Sequence, residues 1–412
     1  MAAMITFEEA QRLIQENVPA PKEESVPMFE ALGSVVAEDI LSPLSLPLFN
    51  NSAMDGYVLR AKDVESASAA KPTLLRIQGA IQAGDGKTVE VRENEAYRIM
   101  TGASVPRGGD TVIPVEKAVI HEKFLCVGEP WPKGRNVRLR GEELKEGETA
   151  VSKNSIVNPG TIGFLSSLGQ TEVKVFKKPR VSLIATGAEL VPPGRPLGPG
   201  KIYDSNTSMI HAAVLEMGLS PVLLRRIDDN PNRIKQVVGH ALKESEITIL
   251  MGGVSAGDHD HVKTILAEAG VQTIFWKVSQ KPGKPMYFGK KGERLVFGLP
   301  GNPASVFTCF YEYVYPAIRR FMGFQNPPLR SGFFPLRESV KADPEKSTFF
   351  KAKIDLSNGR PEVMPLRHQA SHMISSLCQT NGILVVPPSD KVYEKGEKGL
   401  VHALPTVWES GR

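Results

Sequence analysis

A short apolar strand pattern that runs into a glycine loop is the feature that most constrains the fold. Ile247 to Met251 is an apolar run rich in β-branched residues, and the glycine-rich segment 252–257 follows it directly. The next segment has apolar residues at helical spacing, Val262, Ile265 and Leu266, which predicts the order strand, loop, helix. Such a junction presents unpaired backbone N–H groups at the positive end of a helix dipole, which favours an anion such as phosphate.

Two acids, Asp258 and Asp260, stand beside this loop. They would repel a phosphate unless a divalent cation lay between them, so one interpretation is a metal that bridges carboxylate and phosphate. The alternative is that the glycines make only a tight turn and the aspartates cap the helix, because single glycine motifs often carry no function.

Two further loops of the same kind favour the first interpretation. The apolar run Val181 to Ile184 leads into segment 185–189, and Leu295 to Phe297 leads into segment 298–303 before another helical pattern. If all three strands are parallel, their loops gather at one sheet edge, where open α/β sheets bind ligands.

Composition narrows the class of protein. The 412 residues suggest roughly three domains at about 150 residues each, and the net charge of +5 comes from bases interleaved with acids rather than from a basic stripe. This pattern argues against nucleic acid as a partner. The three cysteines, Cys126, Cys309 and Cys378, are far apart, which argues against a disulfide framework or zinc site and fits the reducing cytosol. The apolar runs are all shorter than the roughly 18 residues of a membrane helix, so no membrane partner is expected.

The order of patterns predicts four domains. Residues 1–46 and 141–178 read as one discontinuous mixed α/β linker domain, with a helix that starts after Thr6 and a second helical pattern at Phe29 to Ile40. Residues 47–140 read as an inserted β-rich domain, with strands expected at 73–77, 96–100, 111–115 and 123–127.

The remaining two domains follow a change in pattern. From 179 to 326 strands alternate with helices, which predicts a doubly wound α/β domain with a parallel sheet, and 327–412 reads as a small β domain of barrel type. The fold class is therefore multidomain α/β plus β.

Several polar groups could serve chemistry at the sheet edge. Asp228 and Asp229 follow the second strand of the α/β domain, and Lys281 and Lys284 lie in a proline-braced loop that suits an oxyanion. Together with the glycine-loop amides, this inventory fits magnesium-assisted work on a phosphate ester or anhydride. The histidines His259, His261, His368 and His372 are interpreted as solvated or core residues.

Seven motifs of the sequence match a known family. The carrying motifs are NNSAMDGY, RIMTGA, TGAEL, IYDSN, GGVSAGDHD, KPGKP and GLPGNP, in this order. They resemble the molybdopterin molybdenumtransferases, the MoeA family, which is related to the E domain of gephyrin. The resemblance is strongest from about Pro47 to Met322.

The resemblance implies a four-domain, elongated homodimer whose α/β domain is similar to the molybdopterin adenylyltransferases; the cysteine pattern predicts a cytoplasmic location. It implies insertion of molybdate into adenylylated molybdopterin, with Mg²⁺-dependent hydrolysis that releases AMP and leaves molybdenum cofactor. The implied partners are adenylylated molybdopterin, molybdate, a molybdopterin adenylyltransferase and molybdoenzyme chaperones.

Carried over by motif, the resemblance also implies site residues. Asp55 and Thr101 belong to the active site, reached from the partner subunit, and Glu189, Asp228 and Asp260 are the acids that face nucleotide and metal. The expected binding residues are Gly252, Gly253, Ser255 and Gly257 for phosphate, Lys281, Lys284, Pro285, Pro300, Gly301, Pro303 and Ser305 for pterin and molybdate, and Ser371 for the oxyanion.

Three positions depart from the family pattern. Ala188 stands where the family usually has Asp, and Glu143 replaces another usual Asp. Lys351 stands where Arg is common, and a lysine offers no bidentate fork to an oxyanion.

Two other functions suit parts of the chain. A molybdopterin adenylyltransferase would need only the α/β domain, and the flanking domains with Asp55 argue against it. A non-catalytic scaffold like gephyrin would not need Asp55, Asp228 and Asp260, all of which are present.

Overall fold

A computed structural model describes residues 4–86, 88–253, 262–357 and 359–405. The chain divides into two compact units: unit 1 comprises Met1–Ala37 with Val173–Arg412, and unit 2 comprises Glu38–Glu172. Within the described ranges, no helix is long and apolar enough to cross a membrane.

Unit 2 is built on a six-stranded sheet. Its strands, from one edge to the other, are Thr111–Pro114, Gly56–Leu59, Glu95–Ile99, Thr73–Ile81, Phe124–Val127 and Val119–His121. The four strands expected in the β-rich segment are therefore confirmed, and the first of them extends to Ile81. Residues such as Tyr57, Leu75 and Leu125 form a buried core on this sheet.

Short elements complete unit 2. They are the antiparallel pairs Ile40–Leu41 with Thr149–Val151 and Asn51–Ser52 with Val137–Arg138, the 3-10 helices Ala61–Val64 and Val115–Lys117, and the helix Pro159–Ser167. The first pair joins residues before and after the β-rich segment, as a discontinuous linker domain requires. The domain boundaries themselves stay a prediction.

The α/β domain of unit 1 has a six-stranded sheet whose strands we number in chain order. They are β1 (Val181–Thr186), β2 (Leu223–Ile227), β3 (Ile247–Met251), β4 (Gln272–Trp276), β5 (Tyr287–Lys291) and β6 (Arg294–Leu299). The spatial order is β2-β1-β3-β6-β5-β4; the first four strands are mutually parallel, β5 is antiparallel to β6, and β4 is antiparallel to β5. The expected parallel arrangement of β1, β3 and β6 is confirmed.

The register brings the ends of these strands level. Thr186 pairs with Ile227, Ala185 pairs with Met251, and Met251 pairs with Leu299. The loops that follow β1, β2, β3 and β6 therefore leave the sheet at one edge.

Polar caps and prolines start the helices that return from this edge. The helix Ser205–Glu216 begins after Asp204, whose carboxylate accepts a hydrogen bond from Thr207 N at 2.9 Å. The helices Pro231–Glu244 and Pro303–Cys309 each have proline in their first turn, after Asn230 and Asn302. The remaining elements of the domain are the helix Val262–Glu268, a π-helical turn Phe310–Val314, the helix Tyr315–Phe321 and the paired strands Leu190–Val191 and Ile202–Tyr203.

The N-terminal helix packs on this domain. It spans Phe7–Asn17, with Thr6 Oγ1 accepting a hydrogen bond from Glu9 N at 3.1 Å as the capping pattern predicts. Phe7 and Ile14 join the largest core, which also holds β-sheet and helix residues of the α/β domain. The strand Glu23–Pro27 then pairs with Glu172–Phe176.

The second predicted helix, Phe29 to Ile40, is wrong. Residues 28–33 form turns that end at Gly33, whose φ of +76° lies in the left-handed region. Phe29 is 77% exposed, so this apolar side chain does not belong to a buried helix face. Val36 is instead buried in a bridge with Val175, which means that the apolar pattern combined a turn with an extended segment.

The C-terminal domain has a sheet that takes one strand from the α/β domain. From one edge the strands are Gln280–Lys281, Ser347–Asp355, Gly382–Val386, Lys398–Ala403 and Arg330–Pro335. Around them lie Glu362–Pro365, the pair Val340–Lys341 with Val392–Tyr393, and the 3-10 helix Ser375–Gln379. The small β domain expected here is confirmed.

A buried ion pair joins the two domains of unit 1. Both carboxylate oxygens of Glu312, on the π-helical turn, lie 2.9 and 3.0 Å from His402 Nδ1, on the C-terminal sheet. Burial lowers the pKa of His402, but the charge and hydrogen bond of Glu312 outweigh it and hold this pKa above its usual value.

We expect His402→Gln to destabilise unit 1 by about 3 kcal/mol near pH 6, because it leaves the Glu312 carboxylate buried without its cation. A histidine whose folded pKa is raised contributes stability that is complete below its unfolded pKa of about 6.5 and is lost as pH rises through the folded pKa. The urea midpoints of wild type and His402→Gln should therefore differ at pH 6 and converge at pH 9. The control is His121→Gln, at an exposed strand residue; an equal loss at both pH values would contradict the ion pair.

Candidate functional site

A cavity of about 1460 Å³ opens at the edge where the parallel strands of unit 1 end. It is lined by Thr186 at the end of β1, Asp229 after β2, Gly252 and Gly253 after β3, and segment 300–303 after β6. The prediction that these loops gather at one edge is confirmed. The C-terminal domain closes another side of the cavity with residues from segments 341–350 and 369–372.

The first two glycines of the glycine loop are required by close packing. Gly252 and Gly253 have φ of +88° and +65°. A Cβ on Gly252 would lie 2.6 Å from Thr186 O, and one on Gly253 would lie 2.7 Å from Val262 Cγ2. Both glycines line the cavity.

The other residues expected in this loop, Ser255, Gly257, Asp258 and Asp260, lie outside the described residues, as do His259 and His261. Their roles stay predictions.

Carboxylates enter the cavity from the loops after β1 and β2. Glu189 lines it as the sequence predicts, and Gly187 leaves room for its carboxylate, since a Cβ there would lie 2.7 Å from Glu189 Oε2. From the acidic pair, however, Asp229 lines the cavity and accepts a hydrogen bond from Ala188 N at 3.2 Å. Asp228 instead forms a salt bridge with Arg233 at 2.9 Å. The sequence placed both acids at this edge, and the family motif assigned the metal role to Asp228 rather than to Asp229.

Four lysines line the cavity, and they come from two segments of the chain. Lys281 and Lys284 belong to the segment Lys281–Pro285, here called the lysine loop, and both line the cavity with Pro285. Lys341 and Lys346 of the C-terminal domain line it too, and sequence reasoning missed both. Their signal was weak, because lysines in a turn-rich β domain usually face only solvent.

The loop after β6 meets a loop of the C-terminal domain. Pro300, Gly301, Pro303 and Ser305 all line the cavity, as does Ser371. Asn302 Nδ2 donates a hydrogen bond to Ser371 Oγ at 3.1 Å, and Ala304 N donates to Ser371 O at 3.0 Å. The structure thus brings Ser371 together with the other residues that the motifs singled out.

The motif IYDSN supplies two further polar groups. Asp204 forms a salt bridge with Arg226 and caps its helix, while Asn206 Nδ2 donates to Gly301 O at 2.7 Å. Asn206 Oδ1 is buried with no hydrogen-bond partner in the described part of the chain. Both residues line the cavity and could have been found from that motif.

Lys351 lies behind segment 368–373, here called the Ser371 loop, and does not line the cavity. Its ammonium group donates to His368 O at 2.6 Å and to Met373 O at 3.0 Å, on either side of Ser371. Its side chain is buried, and burial lowers its pKa. The position where the family often has arginine therefore holds a loop together in this chain.

Asp55 and Thr101 belong to unit 2, where the structure brings them together. Asp55 Oδ1 accepts hydrogen bonds from Thr101 N at 2.7 Å and from Thr101 Oγ1 at 2.8 Å. The backbone hydrogen bond from Thr101 is the main reason that the pKa of Asp55 is lowered. This carboxylate is therefore ionised at neutral pH.

The predicted magnesium site can be tested against the described donors. Among those residues, no group of three or more histidine, cysteine, aspartate or glutamate side chains is arranged to hold a metal alone. Of the four described carboxylates that line the cavity, Glu189 and Asp229 lie on loops at the sheet edge, Asp204 is paired with Arg226, and Asp343 belongs to the C-terminal domain. Since Mg²⁺ usually takes one or two carboxylates together with phosphate oxygens, this donor set fits a metal that binds with its substrate.

The family models define the class of protein, an α/β domain of the probable molybdopterin binding type flanked by further domains. Residues 182–320 match the model of a probable molybdopterin binding domain. Residues 5–169 match the MoeA N-terminal region, domains I and II, and residues 334–404 match the MoeA C-terminal region, domain IV.

Relatives cover nearly the whole chain. Molybdopterin molybdenumtransferase 2 of Mycobacterium tuberculosis H37Rv is 34% identical, over 93% of this chain and 96% of its own. Molybdopterin molybdenumtransferase of Haemophilus influenzae is 33% identical over 98% of both chains. The crystal structure of the molybdopterin biosynthesis MoeA protein of Pyrococcus horikoshii OT3 superposes with a TM-score of 0.81, at 28% identity over 97% of this chain and 100% of that one. The chain belongs to the molybdopterin molybdenumtransferase family, MoeA.

The close packing of Gly253 can be tested by its effect on stability. We expect Gly253→Ala to destabilise the α/β domain by about 1–3 kcal/mol, because alanine must adopt a positive φ and its Cβ would collide with Val262. The matched control is Gly239→Ala, inside the helix Pro231–Glu244 with open space around it, which should stabilise by about 0.5–1 kcal/mol. Urea midpoints measure both changes, and equal midpoints for the two variants would show that glycine is not required at position 253.

Lys351 yields a test on the Ser371 loop. We expect Lys351→Met to weaken molybdate binding about tenfold, because the carbonyls of His368 and Met373 lose their shared donor and Ser371 loses its fixed position. Titration calorimetry with molybdate measures the effect. Lys353→Met, two residues along the same strand, removes an equal charge and should leave the affinity unchanged.

Proposed function

We propose that this protein inserts molybdate into adenylylated molybdopterin, with Mg²⁺-dependent hydrolysis that releases AMP and leaves molybdenum cofactor. Its family supports the transfer of molybdenum to molybdopterin. The observation that carries the finer proposal is a single cavity with two carboxylates on sheet-edge loops and four lysines on the lysine loop and the C-terminal domain.

The charges suit a substrate with two kinds of anion. Molybdate is a tetrahedral dianion, and each lysine offers three donors to oxyanions. The adenylyl linkage is a phosphate anhydride, whose charge repels carboxylates unless a cation intervenes. A cavity with both lysines and carboxylates therefore supports a bound metal together with the anions.

Glu189 and Asp229 would hold Mg²⁺, with Asp228 and Asp260 as the other acids that the motifs imply. When bound, the ion offsets phosphate charge as the anhydride is cleaved. In the hydrolysis, water adds to phosphorus and one P–O bond breaks, which yields AMP and the terminal phosphate of molybdopterin. Glu189 and Asp229 also offer oxygens that can orient this water.

The oxyanion would bind among Lys281, Lys284 and the Ser371 hydroxyl. The Ser371 oxygen accepts a hydrogen bond from Asn302, so the hydrogen of the hydroxyl group remains available to donate to an anion. Ser305, in the first turn of the helix Pro303–Cys309, lines the cavity nearby. Asp55, Thr101 and the described glycines Gly252 and Gly253 keep the roles that the family motif implies, as part of this proposal.

The family resemblance supports three further parts of the proposal. The protein acts in the cytoplasm, assembles as a homodimer, and receives its substrate from a molybdopterin adenylyltransferase before molybdoenzyme chaperones take the product. Sedimentation velocity tests the dimer: a single species near twice 44.9 kDa is expected, and one at 44.9 kDa would overturn it.

AMP release tests the proposed reaction. Purified protein is mixed with adenylylated molybdopterin and Mg²⁺, with and without molybdate. Release that requires molybdate is expected. Conversion of ATP and molybdopterin to the adenylylated product would instead indicate an adenylyltransferase, and tight binding without release would indicate a scaffold.

The acids have their own test. We expect Asp229→Asn and Glu189→Gln each to lower the rate of AMP release at least about tenfold and to raise the Mg²⁺ concentration for half-maximal rate, because each removes a negatively charged oxygen ligand. Glu244→Gln, at an exposed helix residue, is the charge-matched control. Wild-type magnesium dependence in both cavity variants would remove these acids from the metal site.

A further inference from the structure

The lysine loop rests on a buried polar network that the proposed mechanism does not use. Gln280, which precedes the loop, is 1% exposed, and its side-chain amide has partners at both ends. Nε2 donates to Pro282 O at 3.0 Å and contacts Cys309 Sγ at 3.5 Å. Oε1 accepts a hydrogen bond from the hydroxyl of Tyr313.

The two residues beneath Gln280 come from the helical segment that follows the β6 loop. Cys309 and Tyr313 are fully buried, and Cys309 Sγ also lies 3.8 Å from Gly283 O. Burial raises the pKa of both side chains, so thiol and phenol stay neutral and keep their protons. Tyr313 must therefore donate, because an amide oxygen can only accept.

The neutrality of the network beneath the lysine loop affects how Lys281 and Lys284 can bind an anion. A buried carboxylate at this place would attract the ammonium groups and compete with an anion for them. The described network fixes the backbone of the loop at Pro282 and Gly283 through neutral groups, so it adds no carboxylate to Asp343, which lines the cavity and already attracts Lys281.

The fit beneath the loop is tight. Gly283 has φ of +95°, and a Cβ there would lie 2.5 Å from Cys309 Sγ and 2.6 Å from Gln280 Nε2. Backbone hydrogen bonds hold the flanks, since Val278 N donates to Lys284 O at 2.9 Å and residues Gln280 and Lys281 pair with Ser347 and Thr348. The side-chain network is thus the support at the middle of the loop.

We propose that Gln280 and Tyr313 are positioning residues for Lys281 and Lys284: the phenol orients the amide, and the amide holds the loop so that both lysines face the oxyanion. This inference rests on the proposed function for its ligand, molybdate. It goes beyond that function in assigning anion affinity to a buried tyrosine that lines no part of the cavity.

The test is Tyr313→Phe, which removes one oxygen and keeps the ring in the core beside Phe7. Tyr311→Phe is the matched control, two residues away on the same turn, where the hydroxyl contacts Glu216 at 3.2 Å instead of the loop. For Tyr313→Phe we expect the KM for molybdate to rise about tenfold with kcat within twofold of wild type, and neither value should change for Tyr311→Phe.

A second readout does not depend on turnover. Amine-labelling rates of Lys281 and Lys284, followed by peptide mass spectrometry, should change at least threefold in Tyr313→Phe and remain constant in Tyr311→Phe. Exposed Lys62 in unit 2 is the internal reference. If wild-type lysines are not protected by molybdate, the proposed oxyanion site fails, whereas the change in labelling between variants still decides the positioning role.

The partnership of the two residues has its own test in a double-mutant cycle. Gln280→Met with Tyr313→Phe should raise the KM no more than Gln280→Met alone, because both act through one amide. Additive effects would overturn the network. So would a variant Tyr313→Phe that lowers the melting temperature but leaves labelling and KM as in wild type, since that is the behaviour of a purely structural residue.

Discussion

Parallel pairing of four strands is the constraint on which the described site depends. Because β2, β1, β3 and β6 run in one direction with their ends level, every loop after them leaves the sheet at the same edge. The strand order reverses at β1, which opens a crevice between loops that go to opposite faces. Without this register, Glu189, Asp229 and Gly252 would lie on separate surfaces and could not act on one substrate.

The chain adds charge to this crevice from a second source. The α/β domain contributes acids and glycines at the strand ends. Of the four cavity lysines, Lys341 and Lys346 belong to the C-terminal domain, and Lys281 is part of an edge strand of its sheet. The hydrogen bonds of Asn302 and Ala304 to Ser371, and the ion pair of Glu312 with His402, fasten the same two domains. The cavity is therefore a property of the pair of domains rather than of either alone.

Much of this architecture could be predicted from the sequence, because its signals are local. Apolar runs that end in glycine loops indicated the parallel sheet, and the capping residue Thr6 indicated the first helix. Spacing could not decide between Asp228 and Asp229, because the direction of each side chain depends on Arg233 and on the amide of Ala188. It also could not connect Gln280 with Tyr313, 33 residues later, since nothing in either segment alone marks a partner. The error at Phe29 to Ile40 has the same origin, because helical spacing does not reveal that Val36 bridges Val175.

The edge strand Gln280–Lys281 has a consequence for how the molecule is made. The chain leaves β4 at Trp276, lends two residues to the C-terminal sheet and returns as β5 at Tyr287. Their partners, Ser347 and Thr348, are synthesised 67 residues later. During translation the loops that carry Glu189, Asp229 and Gly252 can thus fold on the α/β sheet before the C-terminal sheet, which aligns the lysine loop, has been synthesised. A nascent chain acquires the carboxylate side of its cavity first and gains the lysine side only when the last domain folds.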